Sequence, residues 1–369
     1  MDSLVTLVVE YKYIPKKQCY KFSKITEKNV NVSYSMNDLE KIMAEGTVQE
    51  REFYKFIEYV YLYTNGQYKY NSFVYGKINN ISHYNNEYSY LMLLKRILAE
   101  GSERTDRTNV GTYSLFGQQL VFDIKEYIPI LTTKYVYWDK CIIELLWFLS
   151  GKTDSNDLTK QGVNIWSLNT TREFLNSRNL YHLKEGDIGA GYGFQWRHFG
   201  AEYKTCEDDY DDQGIDQIKQ VIESIKTDPY SRRHVITSWN PPDLNKMALP
   251  PCHCLMQFYV DGNNLSCHMY QRSADCFLGL PFNILSYTIL TYLIGLETGL
   301  KPHKLIISIG DAHIYKTHIE CVKRQLELPL YPPPKIEITK QSSIFNYSLA
   351  DFKLIGYLHN PSIGASMSI

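Results

Sequence analysis

The sequence predicts an α+β protein in which one large mixed domain, residues 86–369, follows a small α/β extension, residues 1–85. Three observations carry that expectation. Residues 1–85 hold 12 of the 31 Tyr and no Trp, whereas all five Trp lie between Trp138 and Trp239, so the composition changes once along the chain. Beyond that change, helical and alternating apolar periodicities succeed one another. Asp261-Gly262-Asn263-Asn264 then joins two strand-like runs, residues 256–260 and 265–270, in a hairpin signal.

The elements follow in order. LVTLVVEYKYI near the start is a β-branched run and reads as a strand. Ser35 with Asp38 three residues on resembles a capping box. Across residues 50–63, Phe53, Phe56, Ile57, Val60 and Tyr61 recur at helical spacing. No chemical motif is legible in the extension, whose role the sequence leaves unknown, and its Tyr-rich helical face reads as packing surface. A polar run over residues 79–86 reads as a linker. Residues 90–100 then form a helix ended by Gly101, and residues 141–149, CIIELLWFL, a helix apolar on nearly every side. TTREFL is helical. Residues 215–228 repeat apolar positions every three or four before Pro229. NILSYTILTYLIGLETGL is a long apolar helix stopped by Gly299.

Charge and composition narrow the class. Lys plus Arg total 39 and Asp plus Glu 40, a net charge of -1, which argues against sequence-independent nucleic-acid binding. With 44% hydrophobic and 21% charged residues, the chain can bury a sizeable core. No apolar run approaches the ~18 residues of a bilayer span, and the start of the chain does not read as a signal peptide. Eight cysteines in 369 residues are no disulfide framework, so a reducing, cytoplasmic setting is expected.

Several residues have chemical potential. Cys252 follows Pro250-Pro251 and precedes a strand, so its thiol is held at a sheet edge. A thiol of pKa ~8.5 needs nearby positive charge to act as a nucleophile. Arg232, Arg233 and Arg272 are near in sequence. By position alone Cys252 is either that nucleophile or one more buried small residue. Zinc is disfavoured, because Cys252, His253 and Cys254 are adjacent on a strand and point to alternate faces. Arg107, Arg232, Arg233 and Arg272 suit a phosphate if they converge, which spacing cannot show. Glu144 lies in the apolar helix, either buried and suited to acid–base work or on its one solvent-facing side. Asn283, after Pro281 in an apolar run, carries an amide able to read a paired carbonyl and N–H.

With these residues in place, the chain resembles a known family. DRTNVGT, IIELLWFLSG, GYGFQWRHFGAEY, DPYSRRHVITSWNP, MALPPCHCLMQFYV, LSCHMYQRSADCFLGLPFNI and IGDAHIYKTHIE are similar to successive motifs of thymidylate synthase, in family order, from about Glu87 to Ile369. The resemblance implies a three-layer α/β/α fold with a mixed sheet, paired as a homodimer. It implies reductive methylation of dUMP to dTMP, with 5,10-methylenetetrahydrofolate as carbon and hydride donor and no metal. Residue by residue, Cys252 matches the nucleophile that adds to uracil C6, with Arg272 favouring its thiolate. Glu144, Tyr192 and His253 match the proton-transfer network. Arg107, Arg272, Ser273, Ala274 and Asp275 match substrate contacts, and Arg232 and Arg233 match arginines reaching in from the partner subunit. Asn283 matches the uracil reader, and His313 and Tyr315 the ribose contacts. Folate positions fall on Lys134, Ile165, Trp166, Leu249, Asp275, Gly279 and Phe282, with Ser368 and Ile369 in the closing C-terminus.

The resemblance has departures. Asn109-Val110 replaces the usual Gly-Thr in the Arg107 loop, Ser167 replaces a common Asp, and Tyr135 and Tyr137 replace residues that are often basic. The tail PSIGASMSI lacks the usual lysine. A dUMP hydroxymethylase on the same fold is the nearest alternative, disfavoured by Trp166, whose aromatic wall would keep water away. A non-catalytic dimer acting as an interaction or RNA-binding protein would be expected to lose Cys252, Arg272 or Asn283, and all are present. The extension is too short for a dihydrofolate reductase domain, so a separate reductase is expected.

Overall fold

The computed structural model describes residues 6–14, 19–28, 47–49, 81–105 and 110–366, with side chains from Glu87 onward. The strand expected near the start is β1 (Thr6–Ile14), antiparallel to β2 (Cys19–Lys28), which also pairs with β3 (Thr47–Gln49). The expected capping box at Ser35 and the helix over residues 50–63 lie outside the described residues.

The polar run read as a linker is corrected. From residue 81 onward it forms the first turns of α1 (Ile81–Glu100), because nothing in it breaks a helix and the apolar stripe beyond docks on the sheet. Gly101 follows, as expected. β4 (Ser102–Arg104) and β5 (Thr112–Asp123) come next, then α2 (Trp138–Leu149), α3 (Asn156–Thr159), α4 (Arg172–Ser177) and α5 (Tyr192–His198). Thr171 caps α4 by accepting from the Phe174 N–H at 3.2 Å. Asp216 caps α6 (Gln217–Thr227) through the Lys219 N–H at 3.0 Å. β6 (Val235–Thr237), β7 (His253–Asp261) and β8 (Asn264–Asp275) lead into α7 (Gly279–Thr298), β9 (Lys301–Tyr315) and α8 (Ile319–Leu326). A hairpin of β10 (Lys335–Ile338) and β11 (Phe352–Ile355) follows.

The main sheet has the order β4-β5-β9-β8-β7-β6 and is mixed, β8 and β9 being its parallel pair. The mixed α/β architecture implied by the resemblance is therefore present. The hairpin stands where expected, with Asp261 opposite Asn264 and Gly262 at φ +55° in the turn. α7 packs on β8 and β9, and Gly299 ends it in the left-handed region at φ +74°. The membrane expectation is corrected in one respect: α7 is long and apolar enough to cross a bilayer. It is instead the core helix, with 72% of its most apolar stretch buried in the protein.

α1 is tied down by a buried carboxyl. Glu87 accepts from the backbone N–H groups of Thr132 and Thr133 at 2.7 and 2.8 Å and from both hydroxyls at 2.6 Å. Burial pushes its pKa up against the pull of these four donors. We predict that Glu87→Gln destabilises the protein by about 2–3 kcal/mol, since the amide NH2 would face donors and leave a backbone N–H unpaired. Urea titration checks this, and a midpoint equal to that of the unaltered protein would refute it.

Candidate active site

The centre of the site is the end of β7. Pro250-Pro251 deliver Cys252 to it, and Arg272 on the neighbouring strand holds it there. The Arg272 guanidinium donates to the Pro251 carbonyl from Nε at 3.0 Å and to the Pro250 carbonyl from Nη2 at 2.8 Å. Its Nη2 also lies 3.7 Å from Cys252 Sγ. The Arg272 N–H donates to the Cys252 carbonyl at 2.9 Å. A guanidinium is charged at every physiological pH, so this contact favours the thiolate over the thiol. Gly310 permits the fit, because a Cβ there would lie 2.6 Å from the Arg272 carbonyl.

Tyr192, at the start of α5, accepts the Cys252 N–H on its hydroxyl at 2.8 Å. Its ring stacks on Phe148 at 4.8 Å and meets the edges of Trp166 and His253 at 5.8 and 5.4 Å. Burial raises its pKa well above the usual tyrosine value, so the hydroxyl keeps its proton. His253 pairs with Gln271 across a bulge that places one extra residue on β7, a device that re-aims side chains at active sites. Burial lowers His253 to about 4, against the effect of its hydrogen bond with Asn283, so the ring is neutral. Asn283 Oδ1 accepts from Gln271 Nε2 at 2.9 Å.

Glu144 is buried on α2, settling the alternative left open by its sequence. Trp166 Nε1 donates to its Oε1 at 2.8 Å. Burial outweighs that bond and raises the carboxyl to about 7. It is thus poised to gain or lose a proton near neutrality.

The parallel pair ends together, with Asp275 of β8 opposite His313 of β9, and Tyr315 two residues on. His313 Nδ1 is 3.2 Å from Asp311 Oδ1, and Asp311 also takes hydrogen bonds from Ser114 Oγ at 2.7 Å and Arg104 at 2.8 Å. Ser273 is half-buried, and Ala274 is buried in the core, so Ala274 offers the site only its backbone. Gly279 opens α7, where a Cβ would sit 3.8 Å from Asp275 Cβ and 4.0 Å from Asn283 Oδ1. Ile165, Leu249 and Phe282 are partly buried at the edge of the main core, to which Trp166 belongs. Lys134 is buried, donating to the Phe277 carbonyl with its ammonium 3.6 Å from the Phe277 ring centroid. Burial lowers it to about 7, against the field of Asp275.

Other expected residues stand apart. Arg107, Asn109, Ser368 and Ile369 lie outside the described residues. Arg232 and Arg233 are exposed, just before Val235, which pairs with Gln257. Gln257 is five residues along β7 from Cys252, roughly 16 Å at ~3.3 Å per residue, and its side chain donates to the Arg232 carbonyl at 3.1 Å, so both arginines lie well along that strand from Cys252. Tyr135, Tyr137, Tyr357 and His359 form an aromatic cluster with neighbouring centroids 4.7–5.9 Å apart. Gln271 and Asp311 carry little signal in the sequence. Their one mark is a polar side chain within a strand, Gln271 at a buried position of β8.

A thiol beside a guanidinium, a buried carboxyl near neutrality and an amide held by its neighbours form a site suited to covalent and acid–base chemistry. The family model described as thymidylate synthase matches residues 88–369. The chain is 50% identical over 284 residues to the thymidylate synthase of Human herpesvirus 8 type P (isolate GK18), covering 77% of this chain and 84% of that protein. It is 48% identical over 284 residues to the thymidylate synthase of Homo sapiens, covering 77% and 91%. Against the bifunctional dihydrofolate reductase-thymidylate synthase of Paramecium tetraurelia it is 47% identical over 283 residues, 77% of this chain and 61% of that protein. The chain belongs to the thymidylate synthase family.

The raised pKa of Glu144 has a measurable consequence for stability. The folded value lies above the unfolded value of 4.5, so its contribution is fully present below that pH and is lost as pH rises through about 7. Glu144→Gln keeps an acceptor for Trp166 and removes the buried charge. We predict that the variant gains stability relative to the unaltered protein between pH 5 and pH 8, by on the order of 3 kcal/mol. Urea midpoints across that range check it, and a constant difference would refute it.

Proposed function

We propose that the chain converts dUMP to dTMP with 5,10-methylenetetrahydrofolate, releasing dihydrofolate. The observation that carries this reading is the Arg272 guanidinium beside the Cys252 thiol, in a chain whose family carries out that reaction. Cys252 adds to uracil C6, which makes C5 an enolate able to take a carbon unit. Asn283 reads the uracil edge, because its amide offers a donor and an acceptor as that edge requires. Its orientation is held by Gln271. His313 and Tyr315 contact the ribose, and Arg107, Arg272 and Ser273 the phosphate.

Ile165, Trp166, Leu249 and Phe282 fit a flat, largely apolar ligand, and Asp275 and Gly279 border them. Bound there, methylenetetrahydrofolate supplies the one-carbon unit and then a hydride. Glu144 moves the protons: at about 7 its carboxyl can donate to a leaving nitrogen and then, as the base, accept the proton leaving uracil C5. The neutral His253 and the protonated Tyr192 hold the surrounding hydrogen bonds without adding charge. Trp166 keeps water from the reacting carbon, which favours hydride over hydration. A dihydrofolate reductase must then restore the folate.

The assembly we propose is a homodimer through the sheet. Val235, Gln257, His268, Ile306 and Val121 form one cross-strand row, and Leu255, Tyr270, Ser308 and Gln119 the next. On this face Leu255, Tyr259, Tyr270, Val121 and Val235 are 39–63% exposed, an apolar surface that suits a partner. Arg232 and Arg233, far from their own Cys252, then serve the partner's phosphate site.

The direct test is to incubate the purified protein with dUMP and methylenetetrahydrofolate and identify the product by mass spectrometry, following dihydrofolate at 340 nm. dTMP with dihydrofolate is expected. A product carrying an extra oxygen, without dihydrofolate, would make it a hydroxymethylase. Cys252→Ser is expected to abolish turnover while dUMP binding stays within about tenfold. Mixing Cys252→Ser with an Arg232→Ala/Arg233→Ala variant, each inactive alone, should restore about a quarter of full activity, because half the dimers are mixed and each has one intact site. No recovery after subunit exchange would sink the shared-site reading.

A further inference from the structure

Outside the groups used above, His234 and His318 are both fully buried, and His318 is the one that joins two distant parts of the chain. His318 sits in the turn between β9 and α8. Its Nε2 lies 2.8 Å from the carbonyl of Ser366. A carbonyl only accepts, so Nε2 carries a proton and donates it. The other nitrogen, Nδ1, is buried without a hydrogen bond and lies 3.8 Å from Asp275 Oδ1. A bare Nδ1 would aim a lone pair at a carboxylate, whereas an N–H⁺ there faces its counter-charge. Burial opposes that charge, but Asp275 and the Ser366 carbonyl outweigh it and hold the ring above its ordinary pKa.

Both ends of this bridge bear on the site. Asp275 Oδ1 accepts the N–H groups of Phe277 and Leu278 at 2.9 and 3.2 Å, which fixes the start of α7 and hence the approach to Phe282 and Asn283. At the other end, Ser366 is the last described residue, three short of Ile369. Cys321 Sγ adds a weak contact to the Gly364 carbonyl at 3.6 Å. The rings of Phe277 and Tyr315, each 5.5 Å from the imidazole centroid, keep it in place.

We propose that His318 is a positioning residue that clips the C-terminal segment at Ser366 to the Asp275 end of the folate site. This rests on the synthase reading for its effect on turnover, though the anchor itself can be tested without substrate. His318 touches no reacting atom; it acts through Ser366 and Asp275.

The test uses the full chain with His318→Leu, His318→Gln and His318→Asn. Gln can carry an N–H to the place of Nε2, whereas the Asn amide is too short to reach Ser366. We expect carboxypeptidase to trim the Leu and Asn variants past Ser366 about tenfold faster than the unaltered protein, as for loss of one charge-assisted hydrogen bond. We expect their KM for methylenetetrahydrofolate to rise by a similar factor, with dUMP affinity within about twofold. The Gln variant should recover most of both losses. If His318→Leu does not fold, the Asn and Gln pair decides by the same readouts. Equal trimming of Asn, Gln and unaltered protein overturns the anchor, as does an equal loss of dUMP affinity in Asn and Gln, which would mark a merely structural residue. Absence of turnover in the unaltered protein would overturn the synthase reading, with the trimming rates still judging the anchor.

Discussion

The clamp of Arg272 on Pro250 and Pro251 is the constraint on which the site depends. A guanidinium has five N–H donors in a rigid plane, and two carbonyls from consecutive prolines leave it little freedom to turn. With the fork fixed, the 3.7 Å approach of Nη2 to Cys252 Sγ is built into the backbone. The proline carbonyls are suited to this use, because a proline segment enters no ladder through its nitrogens and keeps its oxygens for other donors. A mobile lysine at the position of Arg272 would carry the same charge without that geometry.

Around the clamp, burial sorts protonation states. Three groups that water would leave near their ordinary values are moved in different directions by the same low-dielectric environment. His253 is held neutral, Tyr192 is kept protonated, and Glu144 is brought to about 7. Of these three, Glu144 is the one brought near neutrality, which suits it to the proton-carrying role proposed above. The stacking of Tyr192 on Phe148 and the edge contact with Trp166 keep that region dry, and this makes the shifts large.

The sheet has two duties on its two faces. Inward residues of β7 and β8, such as Met256, Phe258, Cys267 and Met269, pack in the core with α7. Outward residues on the same strands leave Leu255, Tyr259 and Tyr270 exposed, and Arg232 and Arg233 are exposed just before the edge strand β6. The alternation of a strand thus separates the groups packed in the core from those that the proposed dimer would offer to a second copy.

Much of this is legible in the sequence. The β7–β8 hairpin follows from its turn residues, α7 from its apolar length and Gly299, and the chemical residues from their types within motifs. A β-turn or a helix stop is a local matter, decided by a few adjacent residues. The sequence also tells apart what Cys252 and Glu144 could do, but not whether they do it, since burial is a property of contacts many residues away. Only the tertiary structure places Trp166 on Glu144, Gln271 on Asn283 and Arg272 on the proline carbonyls. It alone shows Arg232 and Arg233 well along β7 from Cys252, because register between strands is set by non-local pairing. The polar run before residue 87 meets the same limit: its composition suggests a linker, while the packing of the later turns of α1 against the sheet sustains it as helix.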